Sequence, residues 1–461
     1  MKPLTKSDLF INRHSIWAVL FLVLQQIIVA SSTYFIARLS TDIASGKSFT
    51  HSLIFFAASL LVVFIPAGIA GVLINLSKWD SLAKYVQYFN HSFQGKTRLR
   101  SEEKLKKNLS AFLSTESYLV VDEGHKFLFD WLSTLLNVTF NIVALGMVLD
   151  QRLLIAYAIS AVLVTAFLKF SGKIAYEKSN RLQHARLRLQ HFLSSGWENI
   201  LIGNKYSHDL WKEEYSKSIK SAQSDSANSE GWNFMGSSLG MLLAMLPVFV
   251  LTGFLFYENS SNHSMLAVLV STLPRQILIL QHTHVVVYYA TSWSALKAKL
   301  DGLVNSLIVD ADPKFIERIA FEKIRIYQHD DHTNHTPVSL TEVLSLMNVK
   351  PIGRLTIRGS NGAGKSTLLN VIKEQLGESA FLLPAHHSLQ FKDSSERGGS
   401  TGQKLARHLE EIKRELQTRY ILLDEWDANL DSIAQQNMNS LIEDLSKQAV
   451  VLEVRHRGVD A

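Results

Sequence analysis

No cysteine occurs anywhere in the chain, which excludes disulfides, thiolate metal sites and cysteine nucleophiles. Also missing is any basic motif interleaved with aromatics of the kind that nucleic-acid-binding modules carry. The net charge of +6 therefore gives no ground for a nucleic-acid partner; lysine and arginine gathered on one side of a membrane account for it. After residue 291 long apolar runs are absent, whereas before it uncharged stretches long enough to cross a bilayer recur. At 461 residues the chain is too long for one ordinary core. The asymmetry implies a membrane part first and a water-soluble part second, divided at 1–305 and 306–461.

Six candidate spans follow from the apolar runs: Ile16–Ala37, Leu53–Leu76, Trp131–Leu149, Leu153–Leu168, Met235–Tyr257 and Ser264–Tyr289. A helix rises about 1.5 Å per residue, so each is long enough, or nearly so, for a hydrocarbon core of roughly 30 Å. The first is too long for a signal-peptide core and lacks a small-residue cleavage pattern, so it is expected to stay in the mature protein. Positive charge sets the direction. Lys2, Lys6 and Arg13 precede the first span, and Lys78–Lys126 and Lys169–Lys220 are rich in lysine and arginine, whereas the loops around Lys47, Arg152 and Glu258 are poor in them. Both termini are thus expected on the cytoplasmic side of a bacterial inner membrane. Residues 77–130 and 169–234 lack the strand and turn signals of inserted domains and read as long cytoplasmic extensions of paired helices.

In the sixth span stands "STLPRQILILQHTH". Pro274 is expected to bend the helix, and Arg275 facing lipid would cost several kcal/mol, so it should face the bundle interior or water. His282, seven residues on, shares its helical face. The pair suggests the polar wall of a substrate cavity; a kink with an arginine reaching the interface is the plainer alternative.

The soluble part carries "GSNGAGKST", residues 359–367. Gly359, Gly364, Lys365 and Ser366 satisfy the G-x-x-x-x-G-K-S/T pattern, and Ser360, Asn361, Gly362, Ala363 and Thr367 complete the loop. "RLTIRG" before it reads as a strand and "STLLNVIKEQL" after it as a helix, which places the loop at a helix N-terminus suited to phosphate. In this pattern Lys365 pairs the terminal phosphates and Ser366 ligates Mg²⁺. Downstream, "RYILLDEWDANLD" delivers Asp424 from a buried strand to the metal end of the site, with Glu425 next to orient or deprotonate the attacking water. A second buried strand, "AVVLEVRHR", ends at His456, suited to sense the last phosphate.

Together these elements resemble the nucleotide-binding domain of an ATP-binding cassette (ABC) transporter. "GSTGQ", with Ser400, Gly402 and Gln403, resembles that family's signature and lies 21 residues before Asp424; "DANLD" resembles its D-loop and ends at Asp431. With six spans in front, the whole chain resembles a half-transporter of the exporter type, nearest the branch that exports cyclic peptides and siderophore precursors. The resemblance implies a six-helix membrane domain followed by an α/β P-loop NTPase domain, ATP and Mg²⁺ as cofactors, and a homodimer in a lipid bilayer. The signature of one copy would close over the ATP of the other. Residues 100–107 and 198–204 would pass the motion to the membrane helices, and a peptide-like or amphipathic compound would be the cargo. Tyr327 stands at the family's customary distance for the adenine-stacking aromatic.

Some features depart from the family. Only 32 residues separate Thr367 from Ser400, so the helical subdomain is short. "AFLLPAHHSLQF" replaces the segment holding the glutamine that feels magnesium, with Ala385 or His386 at its place and Gln390 further on. Gly399 and Thr401 stand where leucine and glycine are usual. His329, His332 and His335 have the residue types of a metal site, but a polar hairpin between early strands explains them at lower cost. Uptake instead of export, and a non-hydrolytic nucleotide-gated regulator or channel, are the alternative functions.

Overall fold

The computed structural model describes residues 4–102, 109–110, 112–308, 313–385, 387–392, 401–415, 418–428 and 430–455. They form two compact units. Those within 1–89 and 112–307 make the first, and those within 90–111 and 308–461 make the second.

The first unit is helical: α1 (Lys6–Phe10), α2 (Arg13–Ala44), α3 (Thr50–Val62), α4 (Phe64–Phe93), α5 (Ser117–Val148), α6 (Arg152–Leu201), α7 (Lys205–Glu258) and α8 (His263–Asn305). Thr5 and Asn12 form capping boxes that start α1 and α2. Among the described residues six stretches are long and apolar enough to cross a membrane: Arg13–Ala44, Thr50–Phe93, Phe112–Val148, Arg152–Leu201, Lys205–Glu258 and His263–Ala290. They are the spans of a multi-pass membrane protein. The second is interrupted at Val63, just before Pro66 in the first turn of α4, where a missing N–H is tolerated. α8 runs unbroken through Pro274. Residues such as Leu61, Val72, Leu246 and Val250 point outward, the arrangement that lipid favours, while Leu145, Leu153, Leu255, Leu269 and Ile279 fill the interior.

A polar seam runs through that interior. Gln26 Nε2 donates to Ser133 Oγ at 3.1 Å, Asn137 Nδ2 to Gln26 Oε1 at 2.8 Å, and Thr33 Oγ1 to Asn141 Oδ1 at 2.7 Å. In hydrocarbon these groups have no water to fall back on, so each finds a partner on the neighbouring helix. Arg275 belongs to the same system: half-buried, its Nη2 donates to Ser32 Oγ at 2.6 Å and to the Val29 carbonyl at 3.2 Å, tying α8 to α2. The expectation of an inward-facing arginine therefore holds in the form of a helix-to-helix tie. Arg275→Ala should lower the unfolding midpoint of the detergent-solubilised protein by the equivalent of about 0.6–1.7 kcal/mol, the usual range for an interhelical polar contact in membranes. Thermal unfolding followed by circular dichroism measures it.

The second unit is a six-stranded sheet in the order β2-β1-β3-β6-β5-β4, built from β1 (Ile324–Gln328), β2 (Thr333–His335), β3 (Gly353–Gly359), β4 (Ala380–Leu383), β5 (Tyr420–Asp424) and β6 (Val450–Val454). β3, β6, β5 and β4 pair in parallel; β1 and β2 pair antiparallel at the β3 edge. Among the described residues four α-helices accompany them: α9 (Leu340–Asn348), α10 (Lys365–Leu376), α11 (Thr401–Glu415) and α12 (Ser432–Ser446). Alternation along the strands makes two cores. Leu355, Ile357, Leu422 and Leu452 face α9 and α10 with Leu368 and Ile372. Ile421, Leu423 and Val451 face α11 and α12 with Leu409, Met438 and Ile442. Strands covered on both faces read as unbroken apolar runs, as "YILL" and "VVL" do.

Candidate functional site at the carboxyl ends of the parallel strands

In a sheet of this kind ligands bind where the parallel strands end. β3 ends at Gly359 and the chain turns through residues 360–364 into α10. The loop is tightly walled. A Cβ on Gly359 would lie 2.6 Å from the Lys323 carbonyl, and one on Gly364, at φ +84°, would lie 2.7 Å from the Arg318 carbonyl. Only glycine fits either place. The Ala320 N–H donates to the Ala363 carbonyl at 3.1 Å, and the Ala363 N–H to the Ser360 carbonyl at 3.2 Å. Residues 318–323 thus form the outer support of the loop, a role that no motif in that segment announces.

Lys365 is buried and its Nζ donates to the carbonyls of Gly359 at 2.8 Å and Ser360 at 3.2 Å. Ser366 Oγ donates to Asp424 Oδ1 at 2.8 Å. A hydroxyl and a carboxylate paired this way are hard oxygen donors, which suits Mg²⁺. Burial pushes the Asp424 carboxyl above the ordinary aspartate range; the Ser366 hydrogen bond opposes this, Glu425 adds to it, and Arg100 and Lys365 oppose it. Glu425 has φ +45°, rare for a residue with a side chain and costly by about 1–3 kcal/mol. Its backbone is pinned from both sides: its N–H donates to the Val454 carbonyl at 3.0 Å, and the Ala428 N–H donates to its carbonyl at 3.3 Å.

Asp424 and Glu425 open into a cavity of about 870 Å³ that Arg100, Ala385, His387 and Lys404 also line. Ala385, at the expected place of the glutamine, faces it with an apolar side chain. His387 and His408 lie 5.4 Å apart by ring centroid, and Phe391 stacks on His408 at 3.9 Å. Both imidazoles are held below the usual histidine range, chiefly by burial, which favours their neutral forms.

The structure thus brings Lys365, Ser366, Asp424 and Glu425 to one end of the sheet. Asn361 and Gly362 form the exposed tip of the loop, and Thr367 lies in the first turn of α10. Gly402 and Gln403 open α11, and Lys404 after them reaches the cavity. Asp431 caps α12, its Oδ1 accepting from the Ala434 N–H at 2.7 Å. Tyr327 sits within β1 opposite Thr356, three residues along from the Ile324–Gly359 pair. Its hydroxyl pairs with His332 Nδ1 at 2.8 Å, and the Arg358 guanidinium lies 5.4 Å from its ring centre. His386, Gly399, Ser400 and His456 lie outside the described residues. The three histidines near β1 have other partners: His329 Nε2 meets Thr356 Oγ1 at 2.8 Å and His335 Nε2 meets Thr333 Oγ1 at 3.1 Å. They lie within the β1–β2 hairpin, His329 and His332 in its turn and His335 in β2, as the plainer reading has it.

Sequence reasoning missed Glu453. It is wholly buried on the α12 face of β6, accepting from Arg354 Nε and Nη2, each at 3.0 Å, Thr356 Oγ1 at 2.7 Å, Arg455 Nε at 3.1 Å and Trp426 Nε1 at 2.8 Å. The signal was a single acid inside "VVLEV".

The described residues thus combine six membrane-length helices with an α/β unit built on a six-stranded sheet. Compared with solved structures, the chain is similar to a bacterial Atm1-family ABC exporter with ATP bound, at a TM-score of 0.61 and 12% identity, covering 96% of this chain and 91% of that one. At that identity the likeness is one of fold. No family model matches the sequence, and no curated protein matches it.

Proposed function

We propose that the chain is an ATP-driven membrane transporter of the exporter type, whose most fitting cargo is a peptide-like or amphipathic compound. The observation that carries this reading is the Ser366–Asp424 contact of 2.8 Å beneath a loop that only glycines can form, on a chain with an exporter's fold. Lys365 would leave the loop carbonyls for the terminal phosphates, and loop N–H groups at the α10 N-terminus would hold the rest. Ser366 and Asp424 would hold Mg²⁺, which when bound neutralises charge developing on the phosphates. Glu425 orients the attacking water and takes its proton. Tyr327 is the candidate for the adenine, and His456 for the last phosphate.

Two copies in the membrane would share their nucleotides, with Ser400, Gly402, Gln403 and Asp431 of one copy completing the site of the other. Both termini lie in the cytoplasm on this reading, in a bacterial inner membrane, and the functional division falls near residue 305. The domain spacing and charge distribution support it.

Lys365→Ala tests the phosphate site. Removing a charge-assisted contact worth about 1.5–3 kcal/mol should weaken ATP binding ten- to a hundredfold. Fluorescent-nucleotide titration of the detergent-purified protein measures this, and equal affinities would remove the phosphate role of the loop.

A further inference from the structure

The six spans read from the sequence, 16–37, 53–76, 131–149, 153–168, 235–257 and 264–289, hold a single Asp, Glu, Lys or Arg between them, and it is Arg275. None of them holds an acid. A second copy of the chain would bring another Arg275 to that depth and no carboxylate to meet it. Arg275 stands near the middle of the stretch His263–Ala290. Its guanidinium turns to Ser32, which is buried in the bundle, and not toward an interface.

The partners of Arg275 are neutral. Nη2 makes both bonds, to the Ser32 hydroxyl and the Val29 carbonyl. Among the described residues Nε and Nη1 have no acceptor, and the protein seals off neither of them. Acids that border the spans are engaged at the span ends: Asp42 with the Ser52 hydroxyl, Asp150 and Glu258 with Arg152, and Asp130 with the Tyr289 hydroxyl. Tyr289 lies roughly four turns further along α8, about 21 Å from Arg275. A charge at membrane depth without an opposite charge is costly, and where one is kept it marks a substrate pathway. The open donors of a guanidinium fit the oxygens of a carboxylate, phosphate or sulfonate. Beside Arg275 the polar groups of α2 and α5, Gln26 with Asn137 and Thr33 with Asn141, already satisfy one another and add no second charge.

We propose that Arg275 binds an oxyanion of the cargo, and that the cargo is an amphipathic compound carrying one carboxylate, phosphate or sulfonate group and otherwise uncharged. The single positive charge of the spans then meets the single negative charge of the ligand, and neither crosses the hydrocarbon uncompensated. The helix-to-helix tie through Ser32 keeps the guanidinium directed into the bundle, where such a group can reach Nε and Nη1. This names the cargo class of the transporter reading given above and rests on it.

The test uses the full chain in phosphatidylcholine nanodiscs and two probes that differ only in charge: N-dansyl-leucyl-phenylalanine, with a free carboxylate, and its C-terminal amide. Fluorescence titration, with empty discs as blank, is expected to show the acid binding about ten- to a hundredfold more tightly than the amide, as one charge-assisted contact supplies. Arg275→Gln should abolish the difference by weakening the acid alone, and Arg275→Lys should keep most of it. Thr33→Ala breaks the neighbouring tie to Asn141 without touching a charge, so it should keep the preference and separates ligand binding from a general loosening of the bundle. Equal affinities, binding of neither probe, a preference that survives Arg275→Gln, or one that is lost in Thr33→Ala overturns the proposal. So does a preference that vanishes in phosphatidylglycerol discs, which would make a lipid phosphate the partner of Arg275. ATP binding indifferent to Lys365→Ala overturns the ATP-driven reading instead, and leaves an acid preference that depends on Arg275 standing.

Discussion

Glu425→Gln should lower ATP turnover by about 10²–10⁴-fold, the usual contribution of a positioned base, while nucleotide binding persists. Glutamine matches glutamate in size and can still orient a water, but it cannot take the water's proton. The backbone argues for this residue over its neighbours. At φ +45° Glu425 occupies a conformation that a solvent-exposed turn would give to glycine or asparagine. It is kept there by the Val454 carbonyl on one side and the anchored Trp426 on the other. Strain of this kind persists where the surroundings fix it, and here it presents the Glu425 side chain to the cavity beside Asp424. Steady-state phosphate release by the purified protein, beside a nucleotide titration, measures the two quantities. Equal turnover in both proteins would remove the general-base role.

Much of this arrangement was legible in the sequence because it rests on local rules. The glycine spacing of residues 359–364, a strand before it and a helix after it set the loop, and the apolar run Tyr420–Leu423 set the strand that delivers Asp424. These are short-range signals, and β3, α10 and β5 match them. The six spans were legible for the same reason, since a bilayer imposes length and polarity on each helix separately. The division of the chain was less so. Residues 90–111 read as part of a long helical extension, yet those of them that the structure describes fold with the second unit. What draws them there is the pairing of Arg98 with Glu374 across 276 positions, and no periodicity encodes a partner so distant. Arg275 shows an intermediate case: its cost in lipid predicted an inward direction, but not the Ser32 hydroxyl that receives it.

The lone acid of β6 gives the second large effect. Glu453→Ala should destabilise the protein by about 3–5 kcal/mol, because removing one member of a buried ionic group leaves its partner's charge uncompensated. Arg354 is the partner at risk: its side chain is 6% exposed, and although Glu443 and Asn439 also accept from it, they do so from the edge of the group. Loss of Glu453 would also free Trp426, and with it the strained turn at Glu425. Glu453→Leu with Arg354→Met should recover part of the loss, since an apolar pair of similar volume needs no counter-charge. The pH dependence follows from the same contacts. Burial alone would raise the carboxyl, but Arg354 and Arg455 outweigh it and hold Glu453 below the usual glutamate range. Its contribution to stability is therefore full above the unfolded value of about 4.3 and is lost as pH falls through the lower folded value. The gap in unfolding midpoint between wild type and Glu453→Gln should accordingly be constant near neutrality and shrink below about pH 4. A gap that stayed constant into acid would mean that the carboxylate's charge contributes nothing, and that its hydrogen bonds alone hold Trp426 beneath the strained turn at Glu425.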